Sequence, residues 1–173
     1  MMHSEYRILV SGAGSIGRRH LKNLHTLGVK NLAFADPHPD SASAAQLTEK
    51  TGALSFSDFR EALAAFKPSV AFICSPTIVH LEQALAAAKA GCHLFIEKPL
   101  SHTLAGIEDL EREVKERNLI AMVACNMRFH PGPATIKKLL TERRIGDVLS
   151  ARIHTGSFLP SWQPSHDYKA RYS

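Results

Sequence analysis

A chain of 173 residues, 45% of them hydrophobic, has room for one ordinary domain and a further piece, with a core that needs no disulfide staples. Its net charge is +5 with the histidines neutral, but the surplus is scattered in short pairs such as Arg18/Arg19, Lys137/Lys138 and Arg143/Arg144. No clustered basic face emerges, so no nucleic-acid partner is expected; the excess reads as a solvated surface with some attraction for anionic cofactors.

The opening MMHSEYRILV lacks the apolar run of a signal peptide, and no stretch approaches the ~18 apolar residues of a membrane span. The expectation is a cytoplasmic protein with no membrane partner. Cys74, Cys92 and Cys125 show no short metal-type spacing, and each lies in or beside an apolar run. They read as buried free thiols in a reducing compartment, and no metal site is expected.

Arg7–Ser11 is an apolar run without strict alternation, as a parallel strand buried on both faces requires. Ser15–Leu27 carries Ile16, His20, Leu21, Leu24 and Leu27 at helical spacing, and Gly28 closes it. Asn31–Ala35 is a second strand, ending at Asp36-Pro37. A helix over Asp40–Thr51, a short strand over Ala53–Phe56 and a helix capped by Ser57 and running to Phe66 follow. Val70–Cys74 is the fourth strand, Thr77–Ala90 an alanine-rich helix, His93–Ile96 the fifth strand, Thr103–Arg117 a helix and Leu119–Ala124 the sixth strand.

This rhythm predicts βαβ units with right-handed crossovers: an α/β, doubly wound parallel sheet of the Rossmann type, here residues 1–125. From residue 126 the pattern changes. Pro131–Arg143 reads as a helix and Val148–Thr155 as a strand with alternating apolar positions, the beginning of a second, α+β domain over 126–173.

Gly12-Ala13-Gly14-Ser15-Ile16-Gly17 is a G-x-G-x-x-G between a strand and a helix, the context in which that pattern carries meaning. Gly12 permits the tight turn, Gly14 lets a pyrophosphate approach the backbone, and Gly17 lets helix and strand close up. The amides of Ser15, Ile16 and Gly17 at the helix start would face the phosphates. Asp36 lies nineteen residues after Gly17, where a carboxylate accepts hydrogen bonds from the adenine ribose and repels a 2′-phosphate. The expected cofactor is NAD rather than NADP. The bland reading of the same residues is a glycine turn with a solvated aspartate.

Three further segments follow strand ends, where open α/β sheets bind ligands. They are Cys74-Ser75-Pro76-Thr77-Ile78-Val79-His80, Glu97-Lys98-Pro99 and Asn126-Met127-Arg128-Phe129-His130-Pro131. A lysine at a strand end, facing the nicotinamide, can hydrogen-bond a substrate oxygen and steady charge developing there. Partial burial beside a cationic ring would ease loss of its proton. Pro99 would fix the turn, and a cis bond before it suits such a place. Ser75, Pro76 and Thr77 open a helix, so they can touch the cofactor or simply cap the helix. His80 reads equally as a cofactor neighbour and as a structural histidine. Arg128 reads as a contact for a hydroxyl-rich or anionic substrate or as a surface arginine, and Trp162 as a stacking platform for a sugar ring.

With the glycine loop, these segments resemble the glucose-fructose oxidoreductase/inositol dehydrogenase/MocA (Gfo/Idh/MocA) family, the Glu-Lys-Pro triplet most specifically. The resemblance implies a catalytic role for Lys98 and cofactor-side positions for Cys74, Ser75, Pro76, Thr77, His80, Glu97, Lys98 and Asn126. It implies a hydride passed between nicotinamide and a sugar, sugar-nucleotide or cyclic polyol, in a homodimer or homotetramer. It also implies a second domain supplying an aspartate and a histidine for the reaction. The chain stops at Ser173 before such an element, and neither His154 nor His166 has the motif context to replace it. The expectation is therefore a truncated chain that binds cofactor and lacks part of the catalytic site. The rivals are an NAD-binding regulatory or interaction module without catalysis and a methyltransferase using a similar glycine loop.

Overall fold

The computed structural model describes residues 5–156 and residue 158. Six strands, β1 (Arg7–Ser11), β2 (Asn31–Ala35), β3 (Leu54–Phe56), β4 (Val70–Ile73), β5 (His93–Ile96) and β6 (Ala121–Val123), form one sheet in the order β3-β2-β1-β4-β5-β6. Every pairing is parallel, as crossovers through helices dictate. The crossover helices are α1 (Ser15–Thr26), α2 (Ala42–Thr51), α3 (Phe59–Phe66), α4 (His80–Lys89) and α5 (Ile107–Glu116). The order is that of the doubly wound dinucleotide-binding fold, and the predicted fold class holds.

Two cores follow from the alternation of side chains across the sheet. Ile8, Val10, Leu32 and Phe34 point to one face, where Leu21 and Leu24 of α1 and Leu47 of α2 cover them. Leu9, Ala33, Ala71, Ile73, Leu94 and Ile96 point to the other, under α3, α4 and Leu110 of α5. Both faces of the central strands are dry, which is why those strands read as continuous apolar runs.

The elements begin and end where local chemistry dictates. Asp58, not Ser57, caps α3, its Oδ1 accepting from the Glu61 amide at 2.8 Å. The predicted helix over Thr103–Arg117 starts only at Ile107. Ahead of it, the hydroxyls of Ser101 and Thr103 accept from the amides of Thr103 and Ala105 and hold a turn that competes with the helix.

The chain forms two compact units, one up to Asn126 and one from Met127 onward. The second contains α6 (Pro131–Thr141), capped by the His130 ring, which accepts from the Gly132 amide at 3.2 Å. Val148–Thr155, expected as a strand, is not one. Among the described residues no strand pairs with it, and Leu149 and Ile153 stand 97% and 89% exposed. A strand without a neighbour has no ladder to hold it.

The cysteines are free. Cys92 is buried and Cys74 partly so, but Cys125 is exposed, contrary to the expectation for all three. It lies beyond the end of β6, in the chain leading out of the sheet. Among the described residues no helix is long and apolar enough to cross a membrane, and no cluster of three or more His, Cys, Asp or Glu could hold a metal ion.

Candidate cofactor site

The strand order reverses between β1 and β4, so the loops after these strands diverge and leave a crevice at their carboxyl ends. The glycine loop lies there, held to the sheet by the Gly12 amide donating to the Ala35 carbonyl at 2.8 Å. Gly12 has φ +84°, and a Cβ on it would meet the Cys74 carbonyl oxygen at 2.8 Å. A Cβ on Gly17 would sit 1.8 Å from the Gly12 carbonyl oxygen, so α1 can leave the loop at this angle only with glycine there. Gly14 differs, since the place of its missing Cβ has no other atom within 4 Å.

Helix α1 starts without a side-chain cap, and its ladder begins with the Arg18 amide donating to Gly14. The amides of Ser15, Ile16 and Gly17 thus have no partner within the helix, and the positive end of its dipole lies at an open stretch of backbone. These are the requirements for holding a diphosphate, and the residues present fit the dinucleotide that the glycine pattern implies.

Asp36 follows β2 on the same edge. Its Oδ2 accepts from the Ala13 amide at 2.8 Å and its Oδ1 from the His38 amide at 3.0 Å. An ionised carboxylate has about four lone-pair sites, so each oxygen can still accept a ribose hydroxyl. Asp36 lines a cleft of about 360 Å³ with Ser11, Gly12, Pro37, Asp58, Phe59, Ser75, Pro76, Ile78 and Gln83. Of the sequence-predicted residues, the cleft gathers Gly12, Asp36, Ser75 and Pro76.

The segment after β4 is organised by Gln83, which sequence reasoning missed. Its Oε1 accepts from the hydroxyls of Ser11 and Ser75, both at 2.6 Å. Ser75 therefore does not cap a helix. Thr77 opens a 3-10 turn, Thr77–Val79, that also has no side-chain cap. Cys74 is partly buried, and burial, with a smaller push from the Glu97 charge, raises its thiol to about 12. Burial alone raises Cys92 to about 11. Neither thiol is a nucleophile at neutral pH.

His80, at the start of α4, is 2% exposed. Its Nδ1 lies 2.9 Å from the Pro99 carbonyl oxygen and its Nε2 2.7 Å from that of Ser75. The histidine thereby ties the loop after β4 to the turn after β5, and both ring nitrogens are committed to backbone.

In that turn the Lys98–Pro99 bond is cis. Glu97 accepts through Oε1 from His20 Nε2 at 2.9 Å, and through Oε2 from the Lys98 amide at 3.3 Å. Lys98 itself is exposed, not partly buried as expected. It stands two residues beyond the end of β5. Asn126 is exposed at the start of a 3-10 turn, Asn126–Phe129. Arg128 is exposed in the second unit. Trp162 and His166 lie outside the described residues.

Comparison with known proteins agrees with this construction. Myo-inositol 2-dehydrogenase of Thermotoga maritima is 32% identical over 164 residues, which are 94% of this chain and 48% of that protein. The 4-carboxy-2-hydroxymuconate-6-semialdehyde dehydrogenase of Sphingobium sp. is 35% identical over 127 residues, 72% of this chain and 40% of the relative. Among solved structures, scyllo-inositol dehydrogenase from Lactobacillus casei with bound NAD(H) and scyllo-inositol superposes with a TM-score of 0.75 at 28% identity. It covers 82% of this chain and 42% of that one. The chain thus spans less than half the length of each of these relatives. The family model for GFO_IDH_MocA matches residues 6–125, and the chain belongs to this oxidoreductase family with an NAD-binding Rossmann fold.

Proposed function

We propose that the protein serves an NAD-dependent dehydrogenase that passes a hydride between nicotinamide and a CH–OH carbon of a sugar, sugar-nucleotide or cyclic polyol. The observation that carries the reading is that the open backbone at Gly14, the Asp36 carboxylate and the Glu97-Lys98-Pro99 turn follow the carboxyl ends of β1, β2 and β5. The inositol dehydrogenases among its relatives support the substrate class.

In this reading the amides of Ser15, Ile16 and Gly17 hold the diphosphate, and Asp36 accepts from the adenine ribose. Cys74, Ser75, Pro76 and Thr77 form the wall of the site beyond β4, backed by His80, while Glu97 and Asn126 border it further along the sheet. NAD, when bound, supplies the hydride chemistry. Lys98 donates a hydrogen bond to the substrate oxygen and stabilises charge that develops on it. Residues 1–125 form the cofactor domain. Residues 126–173 belong to the substrate side, with Arg128 and Trp162 as contacts for a hydroxyl-rich ring.

The whole protein is read as a homodimer or homotetramer. The free cysteines fit the cytoplasm. The experiment is calorimetric titration of the chain with NAD and NADP, followed by assay of the dehydrogenase against inositols and sugars. NAD should bind more tightly than NADP. No heat with either coenzyme would end the proposal.

A further inference from the structure

Helix α1 carries the phosphate-binding turn at its start and His20 one turn further on. The His20 ring is 5.5 Å from Phe72 and 5.1 Å from Phe95, edge-on to both. Those two phenylalanines are register partners on β4 and β5 and stack at 4.5 Å. The aromatic pair fixes the imidazole plane and aims Nε2 at Glu97 Oε1, 2.9 Å away. The two side chains are only 19% and 17% exposed, so water competes little for the bond. The other oxygen of the same carboxylate accepts from the Lys98 amide. An unbroken path thus runs from α1 through His20 and Glu97 to the backbone of Lys98.

We propose that His20 is a positioning residue: through Glu97 it sets the place of Lys98 and links it to occupancy of the glycine loop. The link rests on the reading that this loop holds the diphosphate of NAD and that Lys98 faces the substrate. A ligand that pulls on the amides of α1 shifts the helix that carries His20. The carboxylate follows, and the Lys98 amide with it.

Three proteins test this. His20→Phe keeps a ring against Phe72 and Phe95 and removes the donor. His20→Gln keeps an N–H donor. Backbone NMR follows the Lys98 amide, and ADP, which reaches the glycine loop but carries no nicotinamide, is the probe. In the unaltered chain and in His20→Gln, ADP should move the Lys98 resonance. In His20→Phe the resonance should start from a different position and not respond, while ADP affinity stays within about tenfold of the original.

A folded His20→Phe whose Lys98 resonance and ADP response match the unaltered chain would overturn the proposal. Should His20→Phe fail to fold, Glu97→Ala breaks the same path from the other side, and an unchanged Lys98 response there overturns it equally. Absence of ADP binding by the unaltered chain would sink the dinucleotide reading. Even then, the Lys98 resonance in ligand-free His20→Phe still decides whether His20 places Lys98.

Discussion

The Oδ2 atom of Asp36 accepts the amide of Ala13 at 2.8 Å, so the carboxylate that ends β2 also holds the glycine loop after β1. One side chain thus shapes the phosphate cradle and offers its remaining lone pairs to a ribose. Replacing Asp36 by alanine should remove both effects. Hydrogen bonds to a charged group contribute about 1.5–3 kcal/mol, so NAD binding should weaken by roughly 10- to 100-fold. Asp36→Ser should narrow the preference for NAD over NADP, because the charge opposing a 2′-phosphate is gone. Calorimetry with both coenzymes measures the two effects, and an unaltered NAD affinity in Asp36→Ala would contradict them.

Gly14 and Gly17 should separate binding from stability. A Cβ at Gly17 falls 1.8 Å from the Gly12 carbonyl oxygen, which is backbone and cannot swing aside. Gly17→Ala should lower stability by at least the 1–3 kcal/mol typical of overpacking. A Cβ at Gly14 meets nothing within 4 Å, so Gly14→Ala should melt close to the unaltered protein. The methyl would still occupy the approach to the backbone, so NAD affinity should fall tenfold or more, on the order of 1.4 kcal/mol. Thermal melts and calorimetry on the two variants suffice. A Gly14→Ala protein that binds NAD normally would remove the phosphate from this loop.

The thiols should react in a definite order. Cys125 is exposed, whereas Cys74 and Cys92 are raised from 9.0 to about 12 and about 11 by burial. Alkylation at pH 8 should label Cys125 first and leave Cys74 and Cys92 until the chain opens, since only the thiolate attacks. The same shifts bear on stability. The folded state favours the protonated thiols, so their contribution is complete below pH 9 and is lost as pH climbs through 11 and 12. Mass spectrometry of the labelled peptides gives the order of reaction.

Lys98 should divide catalysis from binding. It is exposed and makes no part of the glycine loop. In the proposed dehydrogenase, Lys98→Ala should lower kcat by about 10²- to 10³-fold, the usual effect of losing one donor to a developing oxyanion. NAD affinity should hold. Steady-state kinetics beside a coenzyme titration measures both, and undiminished turnover would take Lys98 out of the reaction.

The strand-end placement of the candidate site is legible in the sequence. The glycine loop, Asp36 and the Glu-Lys-Pro turn sit at strand ends, and continuous apolar runs such as Ile8–Val10 mark strands buried on both faces. What stayed hidden depends on partners distant in sequence. His20 stands at helical spacing with Ile16, Leu21 and Leu24, and only the fold sets it against Glu97, 77 residues away. Ser75 reads as a cofactor contact or a cap, and nothing local announces Gln83 as the acceptor of its hydroxyl. The alternation over Val148–Thr155 predicted a strand, yet a strand also needs a neighbour, which no periodicity supplies.

Gln83 offers the clearest case of such a hidden partner. Its Oε1 accepts hydrogen bonds from the hydroxyls of Ser11, at the end of β1, and Ser75, after β4, so one side-chain amide joins the two strands where the sheet order reverses. Ser11 is 2% exposed, and Gln83→Leu would leave its hydroxyl without that acceptor in a place water cannot easily reach. An unsatisfied buried hydroxyl costs about 1–3 kcal/mol. In a chain of this size that lowers the melting temperature by roughly 2–12 °C. Gln83→Glu keeps an oxygen at the same reach and should recover most of the loss. Ser11→Ala combined with Gln83→Leu removes donor and acceptor together. The double variant should melt above Gln83→Leu alone, since the unsatisfied group is gone. If it melts below, the serine hydroxyl is satisfied some other way and the bond to Gln83 is not what joins the strands.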